Sequence, residues 1–319
     1  MKTWKLSIKP NNSKESDPFK LCKDNSMLGV GWAGAYKERQ ATNISEAREL
    51  VKEKYNNKWP HAIKHLLEDV KSGDHIWLHQ KGEYFLCKAG EEILFGAAIH
   101  KDFISYDLGH ARKATWVKVP EAYVSGSIQR GTIAQRMIQK IWVTEEEQEL
   151  HEFLFINLLN DKDWRPQDIN QATLEDKISE MAISDMFSLM TPDDVEDVVS
   201  AYLQHQGWVL IKSTCFRSKP KFEFMMLNKD NETCVVQVKS GKEPNPLSPK
   251  DYEKHTSQGK TIYLFSTNQN PYPGVNIDDV KPITHMEMFS WIQKNIWALT
   301  NPLKQRLWIY FCAQNRACL

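Results

Sequence analysis

Residues 191–240 constrain this chain most, because they read as one helix followed by three strand-length runs with polar residues at fixed places on them. Thr191 can cap the helix, Pro192 suits its first position, and Asp193 and Asp194 put negative charge where the helix dipole favours it. Val195, Val198, Val199, Tyr202 and Leu203 recur at helical spacing, and Gly207 is a natural stop. Glu196 sits at the edge of that apolar stripe, not opposite it. Residues 208–211, 222–227 and 233–239 have strand character, and Lys229-Asp230-Asn231 is turn chemistry between the last two.

Side-chain alternation then places the chemistry. Gln237 and Lys239 share one face of their strand, Val236 and Val238 the other. Glu223 faces away from Phe222 and Phe224. If the two strands pair as a hairpin, Glu223 lies on the same face as Gln237 and Lys239. Two carboxylates (Glu196, Glu223), one amide oxygen and one lysine then gather at one place. Magnesium takes oxygen ligands and keeps several waters, so one or two carboxylates and a carbonyl oxygen suffice to hold it. Such an ion orients a phosphodiester and activates a bound water, while Lys239 stabilises charge on the phosphate or positions the attacking water. The plainer reading is a surface hairpin with ordinary charged positions. A Gln-x-Lys on a strand is common by chance, but the order helix-Glu, strand-Glu, strand-Gln-x-Lys, followed by Gly241, is much less so.

Those residues carry a resemblance. Glu196 on a helix, Glu223 on one strand and Gln237-Val238-Lys239 on the next are similar to the PD-(D/E)xK nuclease superfamily. The branch most resembled is that of Mrr-like restriction endonucleases, in which Gln-x-Lys replaces Asp/Glu-x-Lys. The resemblance spans roughly residues 191–268. It implies that Glu196, Glu223 and Gln237 hold Mg²⁺ (or Mn²⁺) and that Lys239 is the catalytic lysine. The chain departs from the usual pattern in offering Glu223, with its longer arm, where the superfamily has Asp.

At 319 residues the chain has room for two domains, and 41% apolar with 26% charged residues is a globular balance. No run is apolar and long enough to cross a membrane, and residues 1–5 lead into a strand pattern instead of a signal-peptide core. The six cysteines show neither a CxxC pair nor His spacing, so free thiols in a reducing cytoplasm are expected. A net charge of 0 excludes a nucleic-acid binder that works by overall positive charge. DNA phosphate contacts would have to rest on local cations: Arg217, Lys219, Lys221 and Lys242 around the motif, and Arg130 in the loop 125–131. A solvated charged face is the competing account of that cluster.

The first half reads as strands around short helices: strands near 3–10, 27–32, 75–78, 83–88, 94–98 and 112–119, helices at 45–55 (capped by Ser45) and 61–70. Leu28-Gly29-Val30-Gly31-Trp32, Gly73-Asp74-His75-Ile76-Trp77-Leu78 and Thr115-Trp116-Val117 resemble segments of the PUA/EVE/YTH superfamily of small β-barrels over roughly residues 1–143. That resemblance implies a reader of a modified base, held in an aromatic cage. Stacking on each aromatic contributes roughly 1–3 kcal/mol per base, and a flipped base needs a pocket deep enough to repay unstacking. Trp32 and Trp77 are the first candidates for its walls, with Tyr36 and Trp116 beside them, although tryptophans of a small barrel more often form its core.

The expected organisation is therefore an α+β, PUA/EVE-like barrel with short helices (1–143), a helical connector (144–190), and an α/β restriction-endonuclease-like domain with a mixed sheet (191–319). Within the connector, residues 145–159 and 174–189 read as two amphipathic helices. The expected function is Mg-dependent, modification-dependent DNA endonuclease activity in defence against foreign DNA. Restriction-type enzymes often need a homodimer to break both strands, although no interface is legible. Two rivals stand beside this: a nucleic-acid-binding protein with a degenerate nuclease fold, and a nuclease whose first domain reads RNA or docks a partner.

Overall fold

The computed structural model describes residues 1–8, 18–99, 101–133, 136–166, 168–215, 222–241, 247–256, 260–268, 272–274 and 276–315. The chain forms two compact units: Met1–Val124, Gly131–Arg165 and the segment from Cys312 make one, Ser125–Arg130 and Pro166–Phe311 the other. The helices of residues 144–190 are thus divided between the units. Both are α+β, each built on a mixed sheet. No helix among the described residues is long and apolar enough to cross a membrane.

The first unit carries strands β1 (Thr3–Leu6), β2 (Met27–Val30), β3 (His75–Gln80), β4 (Glu83–Phe95), β5 (His110–Val119) and β6 (Ile138–Ile141) in the order β2-β5-β4-β3-β1-β6. β1 runs parallel to β3, and the other pairings are antiparallel. Among the described residues no pairing joins β2 to β6, so the order is that of an open sheet. Helices α1 (Pro18–Asp24), α2 (Ile44–Lys54), α3 (His61–Lys64) and α4 (Lys101–Ser105) accompany it. Next come α5 (Gly126–Ile133), which includes residues of both units, and α6 (Glu145–Asn160).

Both faces of this sheet are covered. Ile76, Leu78, Phe85 and Cys87 pack into the main core with Phe19, Leu28 and Leu50. Trp77, one residue out of phase with Ile76 and Leu78, points the other way and meets His151 of α6. Two buried charges lock the unit. Asp74 accepts hydrogen bonds from the backbone N–H of Lys2 and Lys71 and from the Trp4 indole, which ties β1 to the start of β3. Arg112 donates to the carbonyls of Leu66, Leu67 and Gly90. Leu66 and Leu67 belong to the π-helical turn His65–Asp69, so the guanidinium occupies carbonyls that a helix end leaves without partners.

The second unit carries β7 (Val209–Leu210), β8 (Phe224–Leu227), β9 (Thr233–Lys239), β10 (Thr261–Ser266) and β11 (Val280–Pro282) in the order β11-β10-β9-β8-β7. β7, β8 and β9 are antiparallel, while β9, β10 and β11 run parallel. Its helices are α7 (Gln171–Glu180), α8 (Ile183–Leu189), α9 (Pro192–His205), α10 (Glu253–Thr256), α11 (His285–Lys294) and α12 (Asn301–Asn315). One sheet face buries Val235, Ile262, Leu264 and Val280, with Phe222, Met225 and Tyr252 against them. Thr191 caps the helix α9 as expected, in a capping box closed by Asp194, whose carboxylate also accepts from Arg306 at 2.7 Å. Tyr202 of α9 stacks edge-on against Trp291 of α11.

Several local expectations are corrected. Asn43, not Ser45, caps α2, because its side chain accepts from the Glu46 N–H. The loop expected at 125–131 is mostly the helix α5. The single helix expected over 174–189 is two, broken at Met181 and Ala182, both of which are extended. The strands expected at 83–88 and 94–98 are one long strand with a register shift between Ala89 and Ile93, and 96–98 leave it as a 3₁₀ turn.

Candidate active site

The hairpin of β8 and β9 sets the first pair of polar groups. Asn228 accepts from the N–H groups of Asp230 and Glu232, and Asn231 takes the left-handed conformation (φ 60°), so the turn is tight. The register pairs Phe224 with Val236, which places Glu223 opposite Gln237 on the same face. Gln237 is buried, 4% exposed, and its amide nitrogen donates to Glu223 Oε1 at 3.0 Å and to the Val238 carbonyl at 2.9 Å. Lys239 follows on that face and is exposed. Among the described residues its side chain makes neither an ion pair nor a hydrogen bond.

Glu196 comes from α9, half-buried at the edge of the stripe formed by Val195, Val198 and Val199. It makes no hydrogen bond or ion pair among the described residues. Burial first, then the Glu223 charge, then Asp193 and Asp197, push its carboxyl up to about 7. A carboxyl whose proton affinity is raised by a second carboxylate is what a divalent cation relieves. Among the described residues no three His, Cys, Asp or Glu side chains gather as a metal cluster. A cation here would rest on two carboxylates and water, which fits magnesium or manganese better than zinc. Gln237 needs a correction: it turns its nitrogen, not its oxygen, toward Glu223, so the amide orients that carboxylate and does not ligate in this arrangement.

A cavity of about 640 Å³ opens on this face, lined by Gln237, Lys239, Lys250, Asp251, Tyr252 and Lys254 among others. Lys250, Tyr252 and Lys254 were not legible as site residues. Their only signal was a charged run after Pro249, with nothing to show that it folds back over β9. Burial, then the charges of Asp251 and Glu223, raise the Tyr252 phenol, so Tyr252 lies within the field of the site. Of the expected phosphate contacts, Arg217, Lys219, Lys221 and Lys242 lie outside the described residues. Arg130 is described, half-buried, with its guanidinium donating to the Met190 carbonyl at 3.0 Å.

The four aromatic residues proposed for a base cage do not come together. Trp77 is fully buried (0% exposed) against His151, while Trp116 packs on the opposite face of the sheet against Phe19 and Phe85. Tyr36 is buried, with its hydroxyl 2.7 Å from His110 Nε2. Trp32 is half-buried and left-handed (φ 67°), leading into the 3₁₀ turn Ala33–Tyr36. Trp59, also half-buried, meets His110 edge-on. Tyr36 and Trp59 therefore meet at His110, Trp32 heads the turn that carries Tyr36, and Trp77 and Trp116 are core.

No protein-family model and no curated protein matches the chain. Among solved structures, the DNA modification-dependent restriction endonuclease AspBHI superposes with a TM-score of 0.26 at 10% identity, over 96% of this chain and 83% of that one. A superposition this loose carries no argument, and the reading of the site rests on its own geometry.

Proposed function

We propose that the second unit is a Mg²⁺-dependent endodeoxyribonuclease centre and that the chain as a whole is a modification-dependent restriction endonuclease acting on foreign DNA. The observation that supports this most is the pairing of Glu223 with Gln237 on one sheet face, beside an uncommitted Lys239 and within the field of Glu196. When bound, the metal supplies an activated water and charge stabilisation at the scissile phosphate. The protein's own part is to hold Glu223 through the Gln237 amide and to keep the proton affinity of Glu196 raised by burial beside Glu223. Lys239, with Lys250 and Lys254, presents cationic groups to the phosphate. Among the described residues Lys239 has no partner to surrender before it meets the phosphate.

The first unit is proposed as the reader of the modified base, with the site narrowed to Tyr36 and Trp59 at His110 and to Trp32 at the head of the same turn. The test is direct: purified protein with Mg²⁺ should cut DNA carrying modified bases and spare unmodified DNA of the same sequence. Equal cutting of both would remove the reader, and undiminished cutting by Lys239→Ala would remove the nuclease centre. One observation favours a second reading, nucleic-acid binding without cleavage. The Gln237 amide hydrogen-bonds Glu223 where the more usual acid would add a third negative charge for the metal. Metal-dependent cleavage of any substrate excludes it.

A further inference from the structure

A second cavity in the same unit, of about 670 Å³, opens where the parallel strands β9 and β10 end. The carboxyl edge of parallel strands is where open α/β sheets take their ligands. Gly241, two residues beyond β9, and Thr267, the first beyond β10, form part of its wall, and the Thr267 N–H donates to the Lys239 carbonyl at 2.9 Å. The cavity thus begins one hydrogen bond away from the backbone of the proposed catalytic lysine, whose side chain lies on the other face of the sheet. The candidate active site lies on the Gln237 face of the sheet. This cavity lies on the other side, against Phe187, which packs on Phe265.

Its walls are built for an anion joined to a planar ring. Arg130 supplies the cation. Within the second unit, the start of α5 lies so close to the end of α8 that a Cβ at Gly126 would lie 1.7 Å from the Met190 carbonyl oxygen. The same carbonyl accepts from Arg130, so only glycine at 126 lets the guanidinium stand there. Gly241 (φ 118°) passes Arg130 with a conformation that side chains rarely adopt. Phe187 and His285 form a tilted aromatic pair, with ring centres 5.1 Å apart. His285 Nε2 donates to the Ser266 carbonyl, which leaves Nδ1 as an acceptor in the neutral ring. Ser184 and Asn268 add polar groups at the walls. Apolar walls, a few convergent polar groups and one charge, at this volume, describe a small-molecule pocket.

We propose that this cavity holds one nucleotide of the substrate strand adjoining the scissile phosphate. Arg130 meets its phosphate, and the base lies against the Phe187–His285 pair. The proposal rests on the nuclease reading, yet its test is separable from it. The full chain carrying Lys239→Ala, without divalent metal, is titrated by calorimetry with each of the four deoxynucleoside 5′-monophosphates, deoxyadenosine and inorganic phosphate. At least one monophosphate should bind about tenfold more tightly than either deoxyadenosine or phosphate. Arg130→Ala should weaken that binding about tenfold. Ser184→Glu, on an exposed rim position and hence neutral for folding, should weaken it as much by repulsion. No saturable binding, binding equal to that of phosphate alone, or binding unchanged in both variants would overturn the proposal. A chain that binds nucleotide but never cuts DNA keeps this pocket and loses the nuclease; a chain that cuts DNA without binding nucleotide does the reverse.

Discussion

Two sets of charged residues, one in each unit, are treated in opposite ways. In the first, Asp74 and Arg112 are buried and each is met by three partners. In the second, among the described residues, Glu196 is half-buried without a hydrogen bond, its proton affinity is raised, and Lys239 stands exposed without a partner. Burying a charge is tolerable when hydrogen bonds replace water, and such groups end up as architecture. Groups left short of partners in a cleft are poised for something that arrives from outside. The same residue types thus lock the first sheet and, at Glu196 and Lys239, equip the second, which keeps a lock of its own in the buried Asp194–Arg306 pair.

That contrast can be broken by substitution. The largest effect is expected from Lys239→Ala, which should lower Mg-dependent cleavage by about 10²–10³ while the unfolding midpoint in urea moves little. A large loss of stability instead would make Lys239 architectural. Arg112→Met should do the reverse: removing the partner of three carbonyls should cost about 3 kcal/mol or more, read by urea unfolding. A shift under about 1 kcal/mol would mean that those carbonyls find other partners. Gln237→Glu adds a charged oxygen beside Glu223 and should tighten Mg²⁺ binding by about tenfold; unchanged affinity would place the ion elsewhere.

The smallest effect is on Glu196. Its carboxyl, near 7 in the fold against an ordinary 4.5, holds its proton longer than in the unfolded chain. Its contribution is present below about pH 4.5 and is lost as pH rises through about 7. Glu196→Gln should therefore stabilise the metal-free protein at pH 8 and leave it unchanged at pH 4. The gain is about 1 kcal/mol after solvent screening of a half-exposed group is allowed for. The comparison of unfolding free energies at the two pH values checks it.

Local geometry explains what could be read in advance. The face shared by Glu223, Gln237 and Lys239 follows from alternation and one tight turn, and the Thr191 cap follows from four consecutive residues. The aromatic cage failed on the same alternation, applied across strands distant in sequence. Trp77 pairs with Leu86 and Trp116 with Cys87, neighbours in register, so the two indoles leave the sheet on opposite sides. Nothing in the spacing of residues 77 and 116 carries that information. The orientation of the Gln237 amide was hidden too, because it is decided by the Val238 carbonyl and Glu223 together. Lys250 and Tyr252 reach the site only because the chain after β9 folds back, a long-range event.

Binding of Mn²⁺ to the full chain, followed by electron paramagnetic resonance, tests the shared ion most directly. The wild type should show one saturable site, and Glu223→Gln and Glu196→Gln should each weaken it by about tenfold or more. Saturable binding that neither substitution disturbs, or none at all in the wild type, would contradict a metal centre between α9 and the β8–β9 hairpin.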